Sequence, residues 1–125
     1  MREEPVHYQV TTIWGKSMRL AERVCVVSTQ LPVMERYGIR LQLTRSAVSV
    51  PSNIAEGWTR ESKKEKAQFL AIAHGSLSEL HTQLLICERV GWLLSADLVE
   101  IKRLIDEISR MLTVLRRASR TGKPP

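Results

Sequence analysis

Apolar residues along the chain recur at three- and four-residue steps in four separate stretches, and none shows the strict alternation of a half-buried strand. The first stretch runs from about Thr11 or Thr12 to Thr29. Ile13, Leu20, Val24, Val27 and Leu31 form one stripe, and Trp14, Met18, Ala21 and Cys25 form another beside it. Pro32 closes this helix, because proline disfavours helical geometry in the residue before it. The second stretch predicts a helix from Met34 to Gly57, with Leu43, Ala47, Val50 and Ile54 on its core face. Pro51 falls in its middle and removes a backbone donor. The helical period continues on both sides, so one kinked helix is expected, with Gly57 as its C-cap.

The third stretch has the clearest start. Ser62-Lys63-Lys64-Glu65 reads as a capping box, with serine receiving the N3 amide and Glu65 reaching back. Its pattern continues to Val90 and stops at Gly91, a span of roughly 40 Å as a helix. Leu70, Ala73, Leu77, Leu80 and Leu84 form the seam; Ala71, Gly75 and Ser78 are small enough to admit a second backbone. The fourth helix is expected from near Ser95, with Asp97 and Glu100 in its first turns. Leu98, Ile101, Ile105, Ile108, Leu112 and Leu115 form its seam, widened by Leu104 and Met111. Four amphipathic helices with short connections predict an all-α, antiparallel, up-down-up-down four-helix bundle. The bundle domain is assigned to residues 1–119, and residues 120–125 to a flexible basic C-terminal tail. The second apolar stripes of the first and fourth helices suit either a thicker core or a subunit interface.

Composition narrows the class. At 125 residues the chain is one domain, and with 5% aromatics its core must be aliphatic, which favours helices. Cys25 and Cys87 lie in apolar helical patterns without metal-ligand spacing, and read as small buried hydrophobes in a reducing compartment. No apolar run approaches the roughly 20 residues of a membrane span. The Met1-Arg2-Glu3-Glu4-Pro5 start lacks a signal-peptide pattern, so a cytoplasmic location without a membrane partner is expected. The net charge is +6 and the pI about 9.8. Much of the excess follows Ile101, where Lys102, Arg103, Arg110, Arg116, Arg117, Arg120 and Lys123 face only Asp106 and Glu107. Such an end suits an anionic partner, and equally a solvated helix terminus favoured by the macrodipole.

Catalytic and metal chemistry lack a constellation. His74, His81 and Glu88 follow one another at seven-residue steps, roughly 10 Å apart on one helix, too far for a shared ion. There is no nucleophile elbow and no glycine-rich phosphate loop after a strand. No catalytic residue, cofactor or metal is therefore expected, and the chain is read as a non-enzyme.

From Leu31 to Leu93 the sequence resembles a known family. Glu35-Arg36-Tyr37-Gly38-Ile39 is followed by Gln42-Leu43-Thr44-Arg45-Ser46-Ala47-Val48-Ser49-Val50-Pro51-Ser52-Asn53-Ile54-Ala55-Glu56-Gly57. The next helix adds Arg60, Ser62, Lys64-Glu65, Phe69-Leu70, Ile72-Ala73, Gly75-Ser76-Leu77, Glu79-Leu80 and Thr82-Gln83-Leu84, then Gly91-Trp92-Leu93. This looks like the four-helix-bundle family named after the protein encoded in intervening sequences of 23S ribosomal RNA genes. Thr44 and Lys66 depart from the basic and aromatic residues common in that family. The resemblance implies an antiparallel bundle and a homo-oligomeric ring, commonly a pentamer, as in the related accessory proteins of diversity-generating retroelements. It also implies nucleic acid as the usual proposed partner.

Two residue sets follow. Arg110, Arg116, Arg117, Arg120 and Lys123, with Arg40 and Arg45 as a second group, are the candidate phosphate contacts. With few aromatics available for stacking, binding is expected to have low sequence specificity, and RNA is taken ahead of DNA as the partner. Ser49, Ser52, Asn53, Glu56, Arg60 and Gln83 are the candidate structural hydrogen-bond network around Pro51; a ligand-contacting patch is the other reading. The alternative function is a scaffold or accessory subunit for an acidic protein partner.

Overall fold

The computed structural model describes residues 8–121, with side chains from 11 to 119. Its helices are α1 (Tyr8–Ser28), α2 (Ile39–Trp58), α3 (Lys63–Arg89) and α4 (Val99–Thr121). Short 3-10 turns at Val33–Glu35 and Ser95–Leu98 precede α2 and α4. No strand occurs among the described residues. The fold is the expected all-α four-helix bundle.

Cross-helix pairs fix the direction of neighbours. Lys16 meets Glu107 while Arg23 meets Glu100, so α1 and α4 are antiparallel. Ser49 meets Ser76 while Ser46 meets Gln83, so α2 and α3 are antiparallel. Lys102 meets Glu88 while Ser109 meets His74, giving the same relation for α3 and α4. Each helix packs on the two beside it. One pole of the bundle therefore gathers the N-terminal ends of α1 and α3 with the C-terminal ends of α2 and α4. The opposite pole carries both 3-10 turns.

The seams read from the sequence are the core. Ile13, Leu20, Val24, Val27 and Leu31 are buried on α1, and Leu43, Ala47, Val50 and Ile54 on α2. Leu70, Ala73, Leu77, Leu80 and Leu84 are buried on α3, and Leu98, Ile101, Ile105, Ile108, Leu112 and Leu115 on α4. The two surplus stripes part ways. On α4, Leu104 is buried and Met111 packs against the core. On α1, Trp14, Met18 and Cys25 are exposed, and only Ala21 is buried. Cys87 is buried as expected; Cys25 is not.

Helix limits show where local chemistry decides. Ser62 caps α3, its Oγ accepting the Glu65 amide at 3.0 Å. The Glu65 carboxylate lies 4.0 Å from the Arg60 guanidinium, so it serves that pole rather than the serine amide. The end of α3 is a Schellman motif: Gly91 has φ 82°, and the Trp92 amide donates to Cys87 O at 2.9 Å. Helix α2 starts later than its periodicity suggests. Met34 to Gly38 fold as a 3-10 turn and a short turn, Gly38 is the N-cap, and Met34 and Tyr37 are exposed. With no apolar contact for these side chains, nothing holds that segment on the bundle as an α-helical turn. Helix α2 passes through Pro51 without a break, and Pro51 is buried. Gly57 is not the C-cap; it lies inside α2, and Thr59 takes the cap. At the other terminus α4 continues to Thr121, into the segment read as tail.

Candidate nucleic-acid interface

The basic candidates do not form one surface within a subunit. Arg116 and Arg117 lie near the end of α4, at the pole where α3 begins. Arg40, half-buried, stands one residue into α2, roughly 25 Å from that pole by helix rise. Arg45 is exposed further along α2. Arg110 is exposed and pairs with Asp106 at 3.1 Å. The Arg120 side chain and Lys123 lie outside the described residues.

Antiparallel packing brings other cations to Arg116 and Arg117. Lys63 and Lys64, in the first turn of α3, and Arg60 and Lys66 beside them share this pole. Among the described residues the acidic ones here are Glu56, Glu61 and Glu65. Arg60 answers two of them: it bonds Glu56 at 2.5 Å and lies 4.0 Å from Glu65, with its guanidinium 4.8 Å above the Phe69 ring. Lys66 donates to Trp58 O at 3.0 Å and lies over the Trp58 ring. Lys63, Lys64, Lys66 and Arg116 have no carboxylate of the described residues within ion-pair distance. The lysines escaped sequence reading because they were counted as helix-start residues. The signal was the antiparallel order of α3 and α4, which sets the start of one beside the basic end of the other.

Along α4 as far as Arg110, in its seams with α1 and α3, the charges are paired. Glu100 receives Arg19 at 2.8 Å and Arg23 at 3.4 Å. Glu107 receives Lys16 at 2.6 Å and also Arg103. Lys102 holds Glu88 at 2.8 Å. The hydrogen bonds from these cations keep Glu88, Glu100 and Glu107 ionised below the ordinary carboxylate range. The α1–α4 seam is thus nearly neutralised; among the described residues Lys63, Lys64, Lys66 and Arg116 at the basic pole have no ion pair, and neither do Arg36, Arg40, Arg45 and Arg89 elsewhere.

The residues around Pro51 divide into three groups. Asn53 Nδ2 donates to Ser49 O at 2.8 Å and to Ser49 Oγ at 2.9 Å, and Ser49 Oγ shares a 2.7 Å bond with Ser76 on α3. Ser52 Oγ returns to Val48 O at 2.8 Å, so both side chains serve carbonyls in the turn that Pro51 interrupts. Gln83 is buried; it accepts from Ser46 at 2.8 Å and donates to Glu79 at 3.1 Å. Glu56 and Arg60 belong to the basic pole.

His74 has a single consistent state. Arginine only donates, so the 3.0 Å contact from Arg116 makes Nδ1 the acceptor. The proton then sits on Nε2, which donates to Ser109 Oγ at 3.0 Å. Burial, then the Arg116 charge, lowers the His74 pKa below its ordinary 6.5. The unfolded chain therefore binds the histidine proton first as pH falls. Stability from this group is complete above 6.5 and declines as pH drops below that value. The denaturation midpoint should be level near neutrality and fall as the pH drops below 6.5; His74→Gln should flatten that decline. Urea titrations at fixed protein concentration check it. His81 is exposed and shares no contact with His74 or Glu88, and no group of metal-ligating residues occurs among the described residues.

A second surface lies between α1 and α2. Trp14, Met18, Cys25 and Val26 face Val48, Pro51 and Ala55 across an open groove of about 640 Å³, with Glu22 the one charged residue among the described residues that line it. No helix among the described residues is long and apolar enough to cross a membrane.

An antiparallel bundle with one basic pole and an apolar lateral groove is the class these features define. The chain belongs to the 23S rRNA-intervening sequence protein family, whose model matches residues 9–114. Its structure is similar to a crystal structure from Bacteroides thetaiotaomicron VPI-5482, described as a protein with unknown function from the S23 ribosomal protein family. The TM-score is 0.80 at 21% identity, covering 87% of this chain and 98% of that one. That likeness shows the fold. No curated protein matches the chain.

Proposed function

We propose that this protein is a non-enzymatic module that assembles with copies of itself and binds nucleic acid, RNA ahead of DNA, with low sequence specificity. The observation that carries the reading is the basic pole, where Lys63, Lys64, Lys66 and Arg116 gather with no carboxylate of the described residues within ion-pair distance. Phosphate is the anion such a surface is built to meet. Self-assembly adds the weak contacts of each subunit through multivalency. A ring, five-membered on the family resemblance, would repeat the pole around an axis and present the cations together. The apolar α1–α2 groove is the surface offered for assembly, since Trp14 and Met18 remain exposed along it in the single subunit.

The test is fluorescence anisotropy of nuclease-treated protein with labelled single-stranded RNA across a salt series. Log affinity should fall linearly with log salt, by about 0.7 per phosphate engaged. Lys63→Glu/Lys64→Glu/Arg117→Glu should weaken binding at least about tenfold and flatten the slope, while Arg40→Glu/Arg45→Glu should do less. Absence of RNA binding at low salt would overturn the nucleic-acid reading, and light scattering showing a monomer at micromolar concentration would overturn assembly.

One observation favours the scaffold alternative. Val33, Met34, Tyr37 and Leu94 are exposed on the two 3-10 connections of the opposite pole, a surface suited to a protein. A protein that co-purifies after nuclease treatment, and is lost with Met34→Asp/Tyr37→Asp, would support it.

A further inference from the structure

At the basic pole, α3 and α4 do not close completely on each other. Lys64, Ala67, Gln68 and Ala71 from α3 and Arg116 from α4 line a groove of about 390 Å³, open to solvent. The two alanines make a shallow floor, and the long polar residues form the walls. Arg116 is half-buried, and its guanidinium is held by a neutral acceptor, His74 Nδ1 at 3.0 Å, instead of a carboxylate. A half-buried cation has lost part of its hydration, and an imidazole lone pair returns only part of that loss. A guanidinium so placed still has donors to offer an anion. Lys64, also without a carboxylate partner, adds a second positive charge to the same groove, and Gln68 adds an amide.

We propose that the α3–α4 groove is the seat of one phosphate group of the nucleic-acid backbone, gripped by Arg116 and Lys64. His74 is the positioning residue that fixes the guanidinium over the groove. The inference rests on the nucleic-acid reading and gives it a definite site. A backbone phosphodiester suits the groove better than a free phosphate, because the groove is open to solvent, whereas small-ligand sites enclose most of their ligand. The alanine floor admits the sugar that accompanies each backbone phosphate.

The experiment has two arms on the full chain, after thermal melts show each variant folded. In the first, a labelled single-stranded RNA is titrated at several salt concentrations. Lys64→Gln/Arg116→Gln should weaken binding about tenfold and lower the salt slope by about 0.7. Arg40→Gln/Arg45→Gln, with the same change in charge, should leave that contribution in place. His74→Leu should reproduce part of the loss, and His74→Gln, whose amide oxygen can accept from Arg116, should restore it. RNA binding that survives Lys64→Gln/Arg116→Gln unchanged overturns the seat while leaving the nucleic-acid reading intact. In the second arm, inorganic phosphate is titrated into isotope-labelled protein and amide shifts are followed by NMR. Saturable shifts at Ala67, Ala71 and Arg116, lost in Lys64→Gln/Arg116→Gln and not produced by chloride, support the seat. If wild type binds phosphate there and no RNA, the backbone assignment falls and the groove belongs to a small phosphorylated ligand. If neither RNA nor phosphate binds, both readings fall.

Discussion

Leu80→Ala is expected to lower the unfolding free energy by about 3–4 kcal/mol, among the largest losses available from one side chain in this fold. Leu80 sits near the middle of α3 with 0% exposure, in a core made almost wholly of aliphatic residues. Truncation removes buried methyl groups and leaves a cavity. The four helices pack on one another around that point and can relax only partly into it. Natural domains hold roughly 0.05–0.15 kcal/mol per residue, so the loss takes a large share of the total. For a domain of this size the melting temperature should fall by about 10–15 °C. Ile86→Ala on the same helix is the control. Ile86 is 47% exposed, and alanine is the better helix former, so the change should stay near about 0.5 kcal/mol. Both melts need one fixed protein concentration, because assembly couples to stability. Equal losses would mean that the α3 seam is not the core.

That contrast also shows why so much of the fold was legible. The 3.6-residue period reports which face of a helix is apolar, and every seam residue read from it is buried: Leu70, Ala73, Leu77, Leu80 and Leu84 on α3 are the clearest case. Helix ends were legible where one residue supplies the whole device, as Ser62 does for the start of α3 and Gly91 for its end. Met34 to Gly38 misled because periodicity cannot tell an apolar residue that faces a neighbouring helix from one that faces solvent. Trp14 and Met18 on α1 and Leu104 on α4 look alike in sequence, yet the first two are exposed and the third is buried. Which face is covered depends on the neighbouring helices.

The candidate site was legible only in part, for the same reason. Arg116 and Arg117 were visible as a basic run. Lys63 and Lys64 are some fifty residues earlier in the chain and join them only because α3 and α4 are antiparallel. Arg40 and Arg45, grouped with Arg116 by charge type, fall away from that pole because α2 begins at the other end of the bundle. His74, weighed in the sequence as a metal ligand and set aside, accepts a hydrogen bond from Arg116, a role that no spacing within α3 could reveal.

Gly57→Ala and Gly75→Ala should change stability in opposite directions, although both replace a glycine within a helix. Alanine is about 1 kcal/mol better than glycine in a helix interior, so propensity alone favours both. At Gly75 an added Cβ meets nothing within 4 Å, and the position is exposed, so the gain of about 1 kcal/mol should appear in full. The small-residue line Ala71-Gly75-Ser78 therefore admits no helix of the same subunit. At Gly57 the added Cβ would stand 2.9 Å from Phe69 Cβ and 3.6 Å from Lys66 O. Phe69 Cβ is tied to the α3 backbone, so no side-chain rotation relieves the contact, and the first turns of α3 must move away from α2. Overpacking of this kind costs about 1–3 kcal/mol, which offsets the propensity gain and exceeds it. The movement would also disturb Arg60 over Phe69 and Lys66 over Trp58, the two cation–π contacts that order the basic pole. Gly57→Ala should thus lower stability by about 1 kcal/mol, and Gly57→Val, larger and β-branched, by about 3 kcal/mol. Parallel urea titrations of the three variants check the ordering. A stabilised Gly57→Ala would show that α3 can yield at Phe69 without cost, and would make this glycine a matter of helix propensity instead of close approach.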